Sequence, residues 1–167
     1  MRTPIRKIAF SAVVAALYAG LTLLLAPISF GVLQFRVSEV LCILPFFFPS
    51  SVWGLFIGCA IANIMSTFGP LDVIFGSLAS LLAALCTMQI GKKSKGIAGC
   101  ILACLPPVIF NGIIIGAMAT LMTVTPDGFW AGFALNGGQI ALEELVVMYV
   151  AGLPVMLWAE QKAYLKC

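Results

Sequence analysis

The 167-residue chain has no histidine at all. That excludes a histidine-based catalytic triad and an HExxH zinc site. Charge is also scarce, at 9% of residues, where soluble domains carry roughly 25%. A chain this poor in charge could not cover its surface in water. Segments of alternating polarity are missing too, which argues against an outer-membrane barrel. The six cysteines form no CxxC pair. Cys42, Cys59, Cys86, Cys100 and Cys104 lie in apolar segments and Cys167 is terminal, so they read as small hydrophobes with free thiols. No metal is expected. The Gly91-Lys92-Lys93-Ser94 stretch is not a phosphate loop, because Cys86 stands where the first glycine belongs and no strand precedes it. The chain is therefore expected to hydrolyse no nucleotide. Uphill transport would draw on an ion gradient or on partner subunits. No cofactor and no nucleic-acid partner are expected.

What the sequence does have is apolar length. Hydrophobic residues make up 62% of it, and the mean hydropathy is +1.15. Several segments approach the ~20 residues that a membrane-spanning helix needs. Hydropathy and breaker residues give six spans in a single domain, residues 1–167. These run from about Ile8 to Pro27, Val37 to Phe48 with Pro45 inside, Val52 to Thr67, Val73 to Ile90, and Ile97 to Val124 bent near Pro106-Pro107; the last ends near Trp158. Polar breaks separate them: Pro49-Ser51, Gly69-Asp72, Gly91-Gly96 and Thr125-Gly128. Spans two and three are short enough to form one broken helical hairpin. The basic start and apolar run of the N-terminus mimic a signal peptide. The run continues past Ala19-Gly20 to Pro27 without a cleavage pattern, so it reads as a retained span.

With six spans, Arg2, Arg6 and Lys7, then Lys92, Lys93 and Lys95, then Lys162 and Lys166 all fall on one side. The positive-inside rule makes that side cytoplasmic and places both termini there, in a multi-pass protein of the cell membrane. Arg36 is the one basic residue at the outer end.

Polar residues inside apolar segments are costly, which makes them functional candidates. Arg36 and Glu39 are three apart and share a helical face. They read either as an ion pair near the outer interface or as the lip of a ligand cavity. Glu143 and Glu144 are adjacent, about 100° apart on a helix, so at least one must face the bundle interior. Its partner is either Arg36 or a ligand with N–H donors. Gln139 lies near the same surface. Asn63 and Asn111 sit mid-span, as interhelical glue or as ligand contacts. Asp72 reads as the cap of span four, and Asp127 as a turn residue. Small-residue ladders occur in span one (Ala12-Ala16-Gly20 and Ser11-Ala15-Ala19), span three (Gly54-Gly58-Ala62) and span five (Gly112-Gly116). They suit close helix packing, and in span one also the docking of another membrane subunit.

The stretch from Gln34 to Leu85 resembles the QueT family of queuosine-precursor transporters, which are substrate-binding S components of energy-coupling factor (ECF) transporters. The resemblance runs from about Ala12 to Pro154. Its specific pieces are Gln34-Phe35-Arg36 with Ser38-Glu39, Leu44-Pro45-Phe46-Phe47, Ile61-Ala62-Asn63, Asp72 with Phe75-Gly76-Ser77-Leu78, Pro107 with Asn111, and Glu144 before Gly152-Leu153-Pro154. Where the family pattern has glycine before the sixth-span glutamate, this chain has Glu143, so both glutamates stay open as the ligand contact.

The resemblance implies an all-α membrane protein, a six-helix ECF S-component-like bundle with a pocket near the outer face. It implies a coupling transmembrane protein and two ATPase subunits as partners. Ala12, Ala15, Ala16, Ala19 and Gly20 would dock the coupling protein. The implied substrate is a 7-deazaguanine such as the 7-aminomethyl or 7-cyano base, or queuine. A carboxylate accepts the N1–H and 2-amino edge of such a base in charge-assisted bonds; Glu144 is the first candidate and Glu39 the second. Asn63 and Asn111 suit the remaining ring atoms, Phe35, Phe46, Phe47 and Tyr149 offer stacking surface, and Arg36 holds a carboxylate in place. Gln34, Gln139 and Glu143 complete the expected site. The alternatives are an S component for another nutrient, a self-sufficient proton-coupled transporter using Glu144 or Asp72, and, least supported, a membrane enzyme using Glu39, Glu143 and Glu144.

Overall fold

A computed structural model describes residues 4–30, 35–66, 68–123 and 128–164. Gln34 and Asp127 lie outside these residues. Among the described residues every regular element is helical. Seven helical segments follow in order among them, not the six of the sequence reading: α1 (Pro4–Leu24), a single turn at Ala26–Ser29, α2 (Val37–Phe47), α3 (Ser51–Asn63), α4 (Pro70–Lys93), α5 (Gly96–Met122) and α6 (Phe129–Lys162). Four of them, α1, α4, α5 and α6, are long and apolar enough to cross a membrane. The 21 residues of α1 extend about 32 Å at 1.5 Å per residue, against a hydrocarbon core of about 30 Å. The sequence leads to six crossings; α2 and α3 are apolar but short. The 13 residues of α3 reach only about 20 Å. In α2, Val37–Ile43 winds as a tighter 3₁₀ helix before Leu44–Phe47 turns α-helical at Pro45. Large apolar side chains such as Trp53, Ile64, Ile74, Leu121, Trp130 and Val150 point outward, as a lipid-facing surface requires.

Small residues set the helix contacts. A Cβ on Gly54 would stand 2.4 Å from the Ser11 carbonyl oxygen, and one on Gly58 2.8 Å from that of Ala15. Nothing larger than glycine fits between α3 and α1 there. The ladders of α1 accordingly divide. Ala15 and Ala19 are buried against α3, whereas Ala12, Ala16 and Gly20 are exposed. In the other half, Gly112 and Gly116 of α5 meet Gly137 and Ala141 of α6 at similar range. Gly69 takes φ +63° immediately before Pro70, the first residue of α4; that backbone region favours glycine.

Prolines break α5, and neighbouring helices repair the break. Pro107 has no N–H for the Ala103 carbonyl. The Thr87 hydroxyl of α4 donates to that carbonyl at 3.2 Å. The Ile101 carbonyl, one turn before the kink, accepts the Tyr149 hydroxyl of α6 at 3.0 Å. Such outside donors make a proline tolerable in a membrane helix. Beyond the kink, Asn111–Ile115 is wound as a π-helix, and Val147–Gly152 of α6 is another. π-helical turns of this kind concentrate at functional sites.

At the opposite end from Arg36, α6 ties the α4–α5 connection. The Gly96 backbone N–H donates to Glu160 Oε1 at 2.9 Å, and Lys162 Nζ lies 4.1 Å from the Trp158 ring centroid, a basic and aromatic pairing suited to a membrane interface.

Candidate binding site

Arg36 stands just before α2, and its side chain turns inward. Its partner is neither Glu39 nor Glu144, the two expected from sequence. Arg36 Nη2 instead donates to Asp72 Oδ2 at 2.8 Å, with the two side chains 8% and 0% exposed. Its guanidinium also lies 5.8 Å from the Phe30 ring centroid. Asp72 is therefore not the cap of α4. Gly69 occupies that position and offers no side-chain bond, while Asp72 sits in the first turn with its carboxylate committed to Arg36. A carboxylate in the first helical turn also meets the positive end of the helix dipole.

Asn63, at the end of α3, supports this pair from below. Its Nδ2 donates to the Asp72 backbone carbonyl at 2.9 Å and contacts Cys59 Sγ at 3.4 Å. Gly76 makes room for it: a Cβ there would sit 2.3 Å from Asn63 Nδ2 and 2.9 Å from Asp72 Oδ1.

Glu39 faces a different set of groups. The Tyr18 hydroxyl donates to Oε1. Cys42 Sγ donates to Oε2 at 2.9 Å, and the Ser80 hydroxyl reaches Oε1 at 3.4 Å. Both carboxylate oxygens are thus occupied by neutral donors from α1, α2 and α4. Beside this cluster, Thr22 donates to Ser38 Oγ at 2.6 Å and fastens α1 to the start of α2.

Glu144 is placed otherwise. It lines a small internal cavity together with Arg36, Asn111, Ile115 and Ile140. Glu144 is 5% exposed, and its Oε1 is buried without a hydrogen-bond partner. The cavity is about 20 Å³, room for about one water molecule; ligand sites ordinarily span ~300–1,000 Å³. Both π-helical segments adjoin it. Asn111 opens the first, and Glu144 precedes the second by three residues.

The structure thus brings together three of the expected residues, Arg36, Asn111 and Glu144, around one cavity. It also separates the two glutamates: Glu143 accepts from Gln139 Nε2 at 2.9 Å instead. Asn63 and Glu39 belong to the buried layer beside the cavity and do not line it. Phe35 is half-buried. Phe46 and Tyr149 pack in the α2–α5–α6 core, where the Tyr149 hydroxyl bonds the Ile101 carbonyl of α5. Ile115 and Ile140 escaped the sequence reading because isoleucine is ordinary in any span. Asp72 as the partner of Arg36 carried a signal: both are charged residues at polar breaks beside apolar segments.

A second concavity is open and apolar. A groove of about 1000 Å³ runs over α1 and α3, lined by residues including Lys7, Ala12, Ala16, Trp53, Ile57 and Ile61. Ser11, at its edge, is spent on the Lys7 and Ser50 carbonyls.

Fold and site together define a multi-pass helical membrane protein with a small cavity among its helices, onto which Arg36, Asn111 and Glu144 face. A family model described as the QueT transporter matches residues 8–161. The chain belongs to the QueT transporter family. The Queuosine precursor transporter QueT of Lactococcus lactis subsp. cremoris (strain MG1363) is 47% identical over 73 residues, which cover 42% of this chain and 43% of that relative. The chain thus matches less than half the length of this curated relative. No solved structure matches.

Proposed function

We propose that this chain is the substrate-capturing S component of an ECF transporter for a queuosine precursor. It would cross the membrane six times, with α2 and α3 as short crossings and both termini cytoplasmic. The observation that carries the reading is Glu144: a buried carboxylate, one oxygen without a donor, facing a cavity shared with Asn111 and Arg36. A 7-deazaguanine presents the N1–H and 2-amino pair that such a carboxylate accepts, and Asn111 can donate and accept at the remaining ring edge. Arg36 is held by Asp72 and fixes the start of α2 beside the cavity. The cavity of about 20 Å³ is smaller than a purine-sized ring, so loading requires the surrounding helices to part.

The exposed Ala12, Ala16 and Gly20, beside the open α1–α3 groove, suit close packing against a helix of a coupling transmembrane protein. Ala15 and Ala19 act in this reading from within, by holding α1 on α3. Two ATPase subunits would supply the energy, since the sequence offers no phosphate loop. The orphaned Glu144 oxygen also suits a proton-coupled transporter that works alone.

Two measurements test the reading. Calorimetric titration of the detergent-purified chain with the 7-aminomethyl and 7-cyano bases, queuine and guanine should give submicromolar binding of a deazaguanine. Uptake into cells should require a coupling protein and ATPases. Failure of every deazaguanine to bind would sink the substrate, and uptake by this chain alone would favour the proton-coupled transporter.

A further inference from the structure

Arg36 is buried, and it forms part of the wall of the cavity that Asn111 and Glu144 line. A guanidinium carries five N–H donors and no acceptor. The ion pair with Asp72 engages it at Nη2, at 2.8 Å. Glu144 and Asn111 can each accept a hydrogen bond from a ligand, whereas Arg36 can only donate. Whatever fills the cavity beside Arg36 must therefore present an acceptor there, because an unmet donor on a buried cation is costly.

The residues behind Arg36 fix where its donors lie. Asp72 is fully buried in the first turn of α4. Asn63 Nδ2 donates to the Asp72 backbone carbonyl at 2.9 Å, and Gly76 leaves the space for that amide. The Phe30 ring lies 5.8 Å from the guanidinium. A long side chain is thus held in one orientation before any ligand arrives. A donor ordered in advance loses little freedom on binding, which favours affinity.

We propose that Arg36 touches the ligand and determines specificity: its guanidinium donates to the 6-oxo group of the ring whose N1–H and 2-amino edge Glu144 accepts. The inference rests on the deazaguanine reading above and adds a second polar contact to it. The 6-oxo oxygen is the immediate neighbour of N1–H. A donating wall beside an accepting wall therefore reads adjacent groups on one edge of the ring. Arginine ordinarily meets a guanine at both O6 and N7. Carbon stands at position 7 here, so the oxygen is the acceptor left on that side, and Asp72 keeps the guanidinium in register for it. A ring with an amino group at position 6 would set donor against donor and be rejected.

The test titrates the full detergent-purified chain with 7-aminomethyl- and 7-cyano-7-deazaguanine, each beside its 6-thio counterpart. Sulfur at position 6 keeps N1–H and the 2-amino group and weakens the acceptor. The 6-oxo ring should bind at least about tenfold more tightly than the 6-thio ring. An Arg36→Met/Asp72→Leu variant, checked by its unfolding, should bring that ratio close to one; removing both partners leaves no orphaned charge. Glu144→Gln should weaken both rings and leave the ratio in place. Equal or tighter binding of the 6-thio rings to the unaltered chain would overturn the contact, whatever the variants do, and leave the deazaguanine reading standing. A full ratio in the double variant would also overturn it and make Arg36 a positioning residue alone. Binding of none of the rings would remove the deazaguanine reading itself.

Discussion

Glu39 and Glu144 are both carboxylates buried in an apolar bundle, and the regions around them are built in opposite ways. Around Glu39 three donors from three helices converge, and the α1–α3 contact beside it is drawn tight by Gly54 and Gly58. Around Glu144 one oxygen lacks a donor, a cavity remains, and the two adjacent helices pass through π-helical turns. A fully bonded carboxylate stabilises a fixed arrangement. An incompletely bonded one costs stability in the free protein and has capacity left for a ligand. The α1–α4 side therefore reads as the frame and the α5–α6 side as the receiving surface, with Arg36 touching both.

The comparison can be broken first at the joint. Asp72→Ala leaves the Arg36 guanidinium buried and unpaired, which should destabilise the protein by about 3–5 kcal/mol. Unfolding of the purified chain in SDS titrations reads this. An Arg36→Met/Asp72→Leu double variant should recover most of the loss, because replacing a whole buried pair with apolar groups is nearly neutral. Recovery of stability without recovery of binding would show that the pair acts on the site as well as on the fold.

The frame itself comes next. Gly76→Ala forces a methyl group into the space of the Asn63 amide, and overpacking of this kind costs about 1–3 kcal/mol. The same unfolding measurement should register it. A stability unchanged by the methyl group would mean that Asn63 can turn away freely and that the frame is looser than described.

Smallest is Tyr149→Phe. Sequence reading put Tyr149 at the ligand, whereas the structure gives its hydroxyl to the Ile101 carbonyl. Loss of that bond should cost about 0.5–1.5 kcal/mol of stability and leave ligand affinity within about twofold. A large loss of affinity with stability intact would return Tyr149 to the site.

Most of the helical layout was legible in the sequence, because hydropathy and polar breaks act locally. The kink at Pro106-Pro107 and the short lengths of α2 and α3 were readable for the same reason. The rotation of each helix was not. A span that is apolar on every side has no preferred face, so nothing in sequence said that both Glu143 and Glu144 are buried with only Glu144 lining the cavity, or that Asp72 rather than Glu39 or Glu144 meets Arg36. The π-helical turns at Asn111 and Val147 were equally hidden, since one extra residue in a turn leaves hydropathy unchanged. Asn111 and Glu144, which line the cavity, drew attention in the sequence because a polar group within a span is conspicuous. Ile115 and Ile140 were not, because there an isoleucine is the commonplace choice.

The most direct test of the frame-and-receiver account is one titration run on two variants. Glu144→Gln and Glu39→Gln are each titrated with the tightest-binding 7-deazaguanine, and the unfolding of each is measured alongside. Glu144→Gln should keep its stability and lose roughly ten- to hundredfold in affinity, the value of a charge-assisted hydrogen bond. Glu39→Gln should lose about 1–3 kcal/mol of stability and keep its affinity within a few-fold. The reverse pattern, with affinity lost through Glu39 and stability lost through Glu144, would contradict the account.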